Sequence, residues 1–239
     1  MSPGGLIATL IKTAAAITGA TDSLFANVSL LINGDTGSIV DVTGKALTIA
    51  GGTAVSSTQV KYGSNSIFFN GTNAYVYLTS ASNASAFDFG TSPFTVEYWI
   101  YPLAAAQSTY TPAFYTHNST GGAQWNVNNG FRMHHANTLF STGAQLNYTS
   151  AIAANVWTHV ALCRVGNTIT AYKNGVANGT LTYSTAVGAA NNQPALGISD
   201  SANTGGREFF NGYIDDFRIT KGVARYTGTF TPPTQLPTH

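Results

Sequence analysis

Charged residues are scarce in this sequence. Asp, Glu, Lys and Arg make up 8% of its 239 residues, whereas about 25% is usual for a soluble domain. The formal net charge is +1, and no run of basic residues is present. The release of counterions that drives nucleic-acid binding therefore has no source here, and we expect no nucleic-acid partner.

Cysteine and long apolar runs are also nearly absent. The single cysteine, Cys163, excludes a disulfide framework and a zinc site of several thiolates. Its apolar surroundings predict an inert thiol. No segment has the ~20 apolar residues of a membrane helix, so we expect no membrane insertion. The 25 glycines and 12% aromatic residues are typical of an all-β protein with many turns.

Residues 1–24 are interpreted as an N-terminal arm. The segment lacks the positively charged start of a signal peptide, and Lys12 interrupts its apolar stretch. Four apolar residues recur at helical spacing, namely Leu6, Leu10, Ala14 and Ile17. This pattern predicts a short amphipathic helix, which would not be stable alone in water. The arm either packs against its own domain or anchors the chain on a neighbouring subunit or larger assembly.

After residue 25 the sequence reads as short strands separated by turns. In the clearest strand, Phe94 to Tyr101, the apolar residues at even positions point one way and the residues at odd positions point the other. The segment from Asn155 to Val165 is apolar on both faces, which predicts an interior strand. This spacing of strands and turns predicts an antiparallel β-sandwich.

Two turns carry hairpin signals. Asn174-Gly175 follows the strand Thr168 to Lys173, and this dipeptide predicts a type I′ hairpin. Asn70-Gly71 separates Ser66–Asn70 from the apolar run 74–79, which predicts a second hairpin.

Residues 103–150 interrupt this rhythm, and we interpret them as a long irregular contact loop. Aromatic and histidine side chains are spread among its polar residues, a pattern that suits stacking against sugar rings. The candidate glycan-binding residues are Tyr110, Tyr115, His117, Trp125, Phe131 and His134.

The carboxylates do not form the pair that glycoside hydrolysis requires. Glu97 is followed at the second and fourth positions by Trp99 and Tyr101, so no second acid shares its strand face. We therefore expect no catalytic residue and a protein that is not an enzyme. If the face of Glu97, Trp99 and Tyr101 is exposed, it would make a sugar-stacking platform; otherwise it is the second layer of a sandwich.

Asp215 is unusual because strand alternation groups it with the apolar residues Tyr213, Phe217 and Ile219. A carboxylate there must accept hydrogen bonds or bind a cation. One interpretation is that it accepts backbone N–H groups of a neighbouring loop, and the other is that it is a Ca²⁺ ligand. The neighbouring Asp216 would lie on the opposite face as a solvated partner of Arg218.

Several segments, in this order along the chain, resemble the laminin-G-like, concanavalin A-like jelly-roll superfamily. They are residues 30–34 (LLING), 62–71 (YGSNSIFFNG), 87–90 (FDFG), 94–100 (FTVEYWI), 157–161 (WTHVA), 172–176 (YKNGV) and 210–219 (FNGYIDDFRI). The resemblance covers about residues 27–233 and implies a jelly-roll domain, which we bound at 25–233, with a tail at 234–239. Members of this family often have Asp where this chain has Asn33. The resemblance thus implies a tentative Ca²⁺ site of Asp215 and Asn33, weakened by the missing charge.

The final segment, residues 220–233, resembles the version of this domain in bacteriophage structural proteins. That likeness implies a non-catalytic virion protein: a capsid decoration, fibre or tail component on the virion surface, extracellular after host lysis. Expected partners are other virion proteins through residues 1–24, further copies of the chain in a homo-oligomer, and host polysaccharide. The alternatives are a stand-alone carbohydrate-binding lectin module and, third, a glycan hydrolase.

Overall fold

The computed structural model of the chain is built almost wholly from strands. It describes residues 21–78, 89–103, 112–116, 121–126, 131–135, 145–146, 149–184, 186–187, 195–201 and 206–236. The amphipathic helix predicted within residues 1–20 lies outside these ranges. No helix long and apolar enough to span a bilayer is found in the described parts.

A single turn of 3-10 helix, Phe25–Asn27, precedes the first strand. The strands in chain order are β1 (Val28–Asn33), β2 (Val40–Asp41), β3 (Leu47–Ala50), β4 (Ala54–Ser56), β5 (Ser66–Asn70), β6 (Tyr75–Leu78), β7 (Phe94–Pro102), β8 (Pro112–Thr116), β9 (Gly121–Asn126), β10 (Phe131–His135), β11 (Gln145–Leu146), β12 (Thr158–Val165), β13 (Thr168–Lys173), β14 (Val176–Thr182), β15 (Ala195–Leu196), β16 (Ile198–Ser201), β17 (Gly206–Phe209) and β18 (Asn211–Lys221).

Two antiparallel sheets form the body of the domain. The nine-stranded sheet has the order β14-β13-β12-β7-β18-β1-β2, with β5 also pairing β18 and β4 pairing β5. The seven-stranded sheet has the order β11-β10-β9-β8-β15-β6-β3, and β16 and β17 form a separate ribbon. Residues of both sheets share one apolar core. The prediction of an all-β antiparallel sandwich is confirmed.

Strand β7 shows why the sandwich closes. Phe94, Val96, Tyr98 and Ile100 belong to the shared core, where they meet residues of the facing sheet such as Val76. Burying a side chain of this size stabilises the fold by roughly 1.5–3 kcal/mol. The alternation predicted for this strand is therefore correct, and its even-numbered side faces the core. We call the opposite side of the nine-stranded sheet the outer face.

The turn at Asn174-Gly175 has the geometry that its sequence predicts. Both residues have positive φ, 49° and 80°, as a type I′ turn requires. Lys173 pairs with Val176 across the turn. Strand β12 lies between β7 and β13, so the predicted interior position is also correct.

The second predicted hairpin is wrong. β5 pairs with β4 and β18 in the nine-stranded sheet, whereas β6 pairs with β3 and β15 in the other sheet. The Asn70 side-chain oxygen accepts hydrogen bonds from the backbone N–H groups of Thr72, Asn73 and Ala74. These bonds stabilise a tight turn that carries the chain from one sheet to the other.

The prediction of an irregular loop over residues 103–150 is also wrong where the structure describes that region. β8, β9, β10 and β11 lie there, and they form one end of the seven-stranded sheet. β9 pairs with β10 over five consecutive positions. In β9 (GGAQWN) and β10 (FRMHH), the apolar–polar alternation on which the sequence argument depends does not extend over the whole strand.

Residues 222–236 cross the outer face, and we call them the C-terminal strap. Tyr226 and Phe230 stack with ring centroids 3.5 Å apart and pack with Ala224 onto a patch of the sheet that includes Cys163. The Phe230 N–H donates to the Gly175 carbonyl. Asp22 and Leu236 lie just outside the domain predicted at residues 25–233, and both also contact the sheet.

Candidate functional site

Glu97 lies on the outer face beneath the strap, and its carboxylate is enclosed by donors. Strand register places it opposite Arg218, whose Nε and Nη2 donate to Glu97 Oε1 at 2.9 and 2.7 Å. Oε2 accepts the Tyr226 hydroxyl at 2.7 Å and lies 3.3 Å from His159 Nε2. Glu97 has no exposed surface, so a substrate cannot reach it.

Asp22 extends this network to the start of the described chain. Its two carboxylate oxygens accept Arg225 Nη1 at 2.9 Å and Nη2 at 2.6 Å. Arg218 Nη1 donates to Asp22 Oδ2 at 3.1 Å. Two carboxylates and two guanidinium groups therefore form one connected cluster, which we call the buried ionic network. It ties Asp22, at the start of the described chain, to Arg218 of β18 and to Arg225 of the strap.

The charges of the network set the protonation of Glu97. Burial alone would raise its pKa, but the Arg218 charge, together with His159 and the Tyr226 hydroxyl, lowers the pKa of Glu97 to about 2. Burial also raises the pKa of the Tyr226 hydroxyl, and the Glu97 charge adds to that rise. Glu97 is thus held ionised near neutral pH, as a structural ion and not as a proton donor.

Asp215 accepts hydrogen bonds from the backbone, as the first interpretation of its role predicts. The N–H groups of Lys61 and Tyr62 donate to Asp215 Oδ2 at 2.9 and 3.2 Å. Burial raises the pKa of Asp215 to about 6, against the lowering effect of these N–H groups. The carboxylate connects β18 to the turn that contains Lys61.

A β-bulge changes the faces that strand alternation predicts around this residue. The register shifts between Asp215 and Arg218, and Asp216 has a φ of 48°. Phe217 and Ile219 consequently face the shared core, so the prediction that they share a face with Asp215 is wrong. A bulge inserts one extra residue and reverses the alternation beyond it.

Asp216 is buried, so its predicted solvated position is wrong too. Its Oδ2 accepts the Leu236 N–H of the strap at 3.0 Å. Burial raises the pKa of Asp216 to about 7, and the charges of Asp215 and Asp35 act in the same direction. Asp216 thus binds the end of the strap, although its ionised form is disfavoured there by burial and by the neighbouring carboxylates.

The structure adds no further ligand to the predicted calcium site in the described part of the chain. No group of three or more His, Cys, Asp and Glu side chains there is placed to hold a metal ion. Asn33 ends β1 and is buried, while Asp215 Oδ2 is already surrounded by N–H donors. Such donors present positive charge and do not suit a cation.

Next to the ionic network, Trp99 and His159 pair across β7 and β12. Their ring centroids are 5.1 Å apart, and both are buried. Trp99 Nε1 and His159 Nδ1 have no hydrogen-bond partner among the described residues. Of the two ring nitrogens of His159, Nε2 alone meets a polar partner in the described part of the chain, Glu97 Oε2. Cys163 is buried, and burial raises its pKa to about 12, as expected of an inert thiol.

Beyond the strap, four aromatic rings cross the outer face in a line. Phe68, Tyr213, Tyr101 and Trp157 come from β5, β18, β7 and the residue before β12. Successive centroids are 5.1, 6.0 and 5.4 Å apart. We call these residues the aromatic row. All but Tyr213 are half-buried, so their rings are partly open to solvent.

The face of Glu97, Trp99 and Tyr101 is covered at one end and partly open at the other. Its Glu97 end is a covered second layer, and its Tyr101 end belongs to the aromatic row. The period-two pattern identified this face, but only the pairing of β5, β7 and β18 brings Phe68 and Tyr213 into line with Tyr101.

The predicted glycan-binding residues fall on strands or outside the described ranges. Tyr115, Trp125, Phe131 and His134 belong to β8, β9 and β10. Register places Phe131 directly opposite Trp125, and His134 opposite Gly122. Tyr110 and His117 lie outside the described residues.

A family model of the concanavalin A-like lectin/glucanases superfamily, Laminin_G_3, matches residues 70–225. The chain belongs to this superfamily. No curated protein sequence matches the chain. The superfamily assignment agrees with the two-sheet topology and with the resemblance found in the sequence.

Solved structures with the same fold come from carbohydrate-degrading and toxin proteins. Domain 4 of AbnA, an extracellular arabinanase from Geobacillus stearothermophilus solved in complex with arabinotriose, has a TM-score of 0.61 at 20% identity, over 83% of this chain and 94% of that one. The binding domain of Paraclostridial Mosquitocidal Protein 1 has a TM-score of 0.56 at 16% identity, over 83% of this chain. The binding domain of botulinum neurotoxin DC in complex with SialylT has 0.51 at 14%, again over 83%. This chain matches about half of the length of each toxin chain, 49% and 48%.

Proposed function

We propose that the chain is a non-catalytic structural protein of a bacteriophage virion, whose jelly roll adheres to glycans of the host surface. Residues 1–20 attach it to other virion proteins, and the domain is displayed on the particle as a homo-oligomer. The resemblance of residues 220–233 to phage structural proteins supports the virion assignment. The glycan ligands in neighbouring structures support the adhesive role.

The state of Glu97 carries the non-catalytic part of the proposal. Hydrolysis of a glycosidic bond needs two carboxyl groups flanking the bond. Glu97 has no exposed surface and is held by Arg218 and Tyr226. Asp215 and Asp216 are buried and bonded to backbone N–H groups. These groups hold the sandwich together and are not free to reach a sugar.

The anchoring role is tested by deleting residues 1–20. The cut stops before Asp22 because the buried ionic network needs its carboxylate. We expect the shortened protein to keep its melting temperature and to be lost from purified particles. A matched deletion of residues 1–24 removes Asp22 as well and should lower the melting temperature. Full incorporation of the first variant into particles would contradict the anchoring role.

The adhesive role is tested by adsorption of particles to host cells. Trp125 and Phe131, opposite each other in register, are the first candidates from the sequence, and we expect Trp125→Ala to weaken adsorption. A stand-alone lectin would bind the same glycans but would be missing from particles. A hydrolase would release shorter sugars from the polysaccharide.

A further inference from the structure

The C-terminal strap divides the outer face into a covered part and an open part. Tyr226 and Phe230 cover the region around Glu97 and Cys163. The aromatic row lies at the other end of the same strands, where Phe68, Tyr101 and Trp157 are half-buried. A cluster of partly exposed large aromatic side chains is a candidate binding surface.

Tyr101 and Trp157, two half-buried neighbours in the row, have centroids 5.4 Å apart and ring planes tilted by 55°, so each can pack against a separate sugar ring. Four rings follow one another at centroid distances of 5.1 to 6.0 Å, because their strands lie side by side. A sugar ring exposes C–H groups on its face, and these pack against the electron-rich faces of aromatic rings. The Tyr101 hydroxyl adds a hydrogen-bonding group to an otherwise apolar surface.

A positive charge lies beside the row. The Lys61 ammonium is 4.2 Å from the centroid of the Trp99 ring and 5.1 Å from that of Tyr62. Trp99 precedes Tyr101 by two positions on the same face of β7, so the charge borders the row. No carboxylate in the described part of the chain forms an ion pair with this ammonium.

The nearby carboxylates are already engaged by the backbone. Asp215 Oδ2 accepts the N–H groups of Lys61 and Tyr62. Asp35, on the other side of the turn, accepts those of Ser64 and Asn65. Lys61 forms no ion pair with either carboxylate and lies over the Trp99 ring, so its ammonium can pair with a negative group on a ligand.

We propose that the aromatic row and Lys61 form a binding site for an acidic oligosaccharide. Its sugar rings stack across Tyr101 and Trp157, and its carboxylate pairs with the Lys61 ammonium. The site rests on the proposed adhesive function and is distinct from the strands that carry Trp125 and Phe131. Stacking provides most of the affinity, and Lys61 provides the preference for an acidic sugar.

The test is a binding titration of the full chain with hexuronic-acid oligosaccharides and with the same oligosaccharides after reduction of their carboxyl groups. We expect the wild type to prefer the acidic set. Lys61→Gln should weaken acidic binding by about fivefold, as loss of an exposed ion pair would, and should leave neutral binding unchanged. Trp157→Ala should weaken both, with its folding checked by circular dichroism.

Lys173→Gln is the matched control. Lys173 lies at the end of β13, and its Nζ donates to the Ala151 carbonyl. The substitution removes the same charge as Lys61→Gln, and the variant should still prefer the acidic oligosaccharides. An equal affinity of the wild type for both sets, or an unchanged preference in Lys61→Gln, would overturn the proposal. A Trp157→Ala variant that changes its oligomeric state but binds glycans as before would also overturn the proposal. In that case the row would be an interface covered by a second copy of the chain.

Two further outcomes separate this site from the adhesive function. Glycan binding by the wild type that neither Lys61→Gln nor Trp157→Ala alters would refute this site and leave the adhesive function standing. Absence of binding to any glycan, acidic or neutral, would refute both.

Discussion

At the scale of single residues, Glu97 is the centre of the outer face. It is the shared acceptor for Arg218 and Tyr226, which come from the sheet and from the strap. Breaking a buried ion pair by removing one partner leaves the other charge uncompensated, which costs about 3–5 kcal/mol. We therefore expect Glu97→Gln to lower the free energy of unfolding by that amount, as measured by urea denaturation.

The matched variant is Tyr226→Phe, which removes a neutral donor from the same carboxylate. It should cost about 1–2 kcal/mol, since the charged groups remain paired. Equal losses in the two variants would contradict the idea that ionic pairing, and not the strap contact, gives Glu97 its importance.

Asp216 makes stability depend on pH in the opposite direction from most carboxylates. Its pKa is raised to about 7 from 3.8 in the unfolded chain, so its protonated form is favoured in the folded state. The associated stability is complete below about pH 4 and is lost as pH rises through 7. Asn cannot ionise and tolerates the positive φ of this position.

We therefore expect Asp216→Asn to match the wild type at pH 4.5 and to exceed its free energy of unfolding by about 1–3 kcal/mol at pH 8. Urea denaturation at both pH values in chelator-containing buffer measures the difference. A difference between the two proteins that does not change with pH would contradict the burial argument.

Calcium provides a separate test of Asp215. Its carboxylate is occupied by backbone N–H groups, so we expect the melting temperature to be the same in calcium and in chelator. A higher melting temperature in calcium that disappears in both Asp215→Asn and Asn33→Ala would instead identify these residues as ligands.

Residue faces could be predicted only where the strand is regular. The alternation in β7 correctly separated Glu97 and Trp99 from the core. In β18 the same argument failed after Asp215, because the bulge adds a residue that the polar pair Asp215-Asp216 does not reveal. The positive φ of Asp216 depends on how β18 pairs with β7, and no local sequence signal encodes that pairing.

At the scale of elements, the turn at Asn174-Gly175 and the C-terminal strap depend on each other. A methyl group added to Gly175 would collide with the Phe230 carbonyl, whereas one added to Gly166 would meet nothing within 4 Å. Both glycines have positive φ, 80° and 56°, so the conformational cost of alanine, about 1–2 kcal/mol, is shared.

We expect Gly175→Ala to destabilise the protein by about 1–3 kcal/mol more than Gly166→Ala, through overpacking against the strap. Urea denaturation gives the difference, and limited proteolysis should cut the strap first in Gly175→Ala. Equal destabilisation would mean that the strap is not docked on this turn.

The elements themselves were predictable to different degrees. β13 and its turn follow from a local signal, the Asn-Gly dipeptide. The Asn70-Gly71 turn gives the same signal but connects two sheets, because strand pairing is decided by the core and not by the turn. The strands between residues 112 and 146 have weak alternation, so the sequence could not distinguish them from a loop.

At the scale of the whole molecule, several of the chain's few charged side chains lie inside. Arg218, Arg225, Glu97 and Asp22 form one buried network, and the surface depends mainly on uncharged polar groups. Such a surface suits close packing of copies on a particle, since like charges do not repel. The sandwich could be predicted from composition and turn spacing, whereas the aromatic row could not, since it requires three strand pairings at once.

Under the proposed function, this sandwich binds host glycans and does not cleave them. The most direct measurement incubates the full chain with purified host surface polysaccharide and follows both retention of the protein and the size of the polysaccharide. We predict retention of the protein with no change in polysaccharide length. Release of shorter oligosaccharides, or a protein that is not retained at all, would contradict the account.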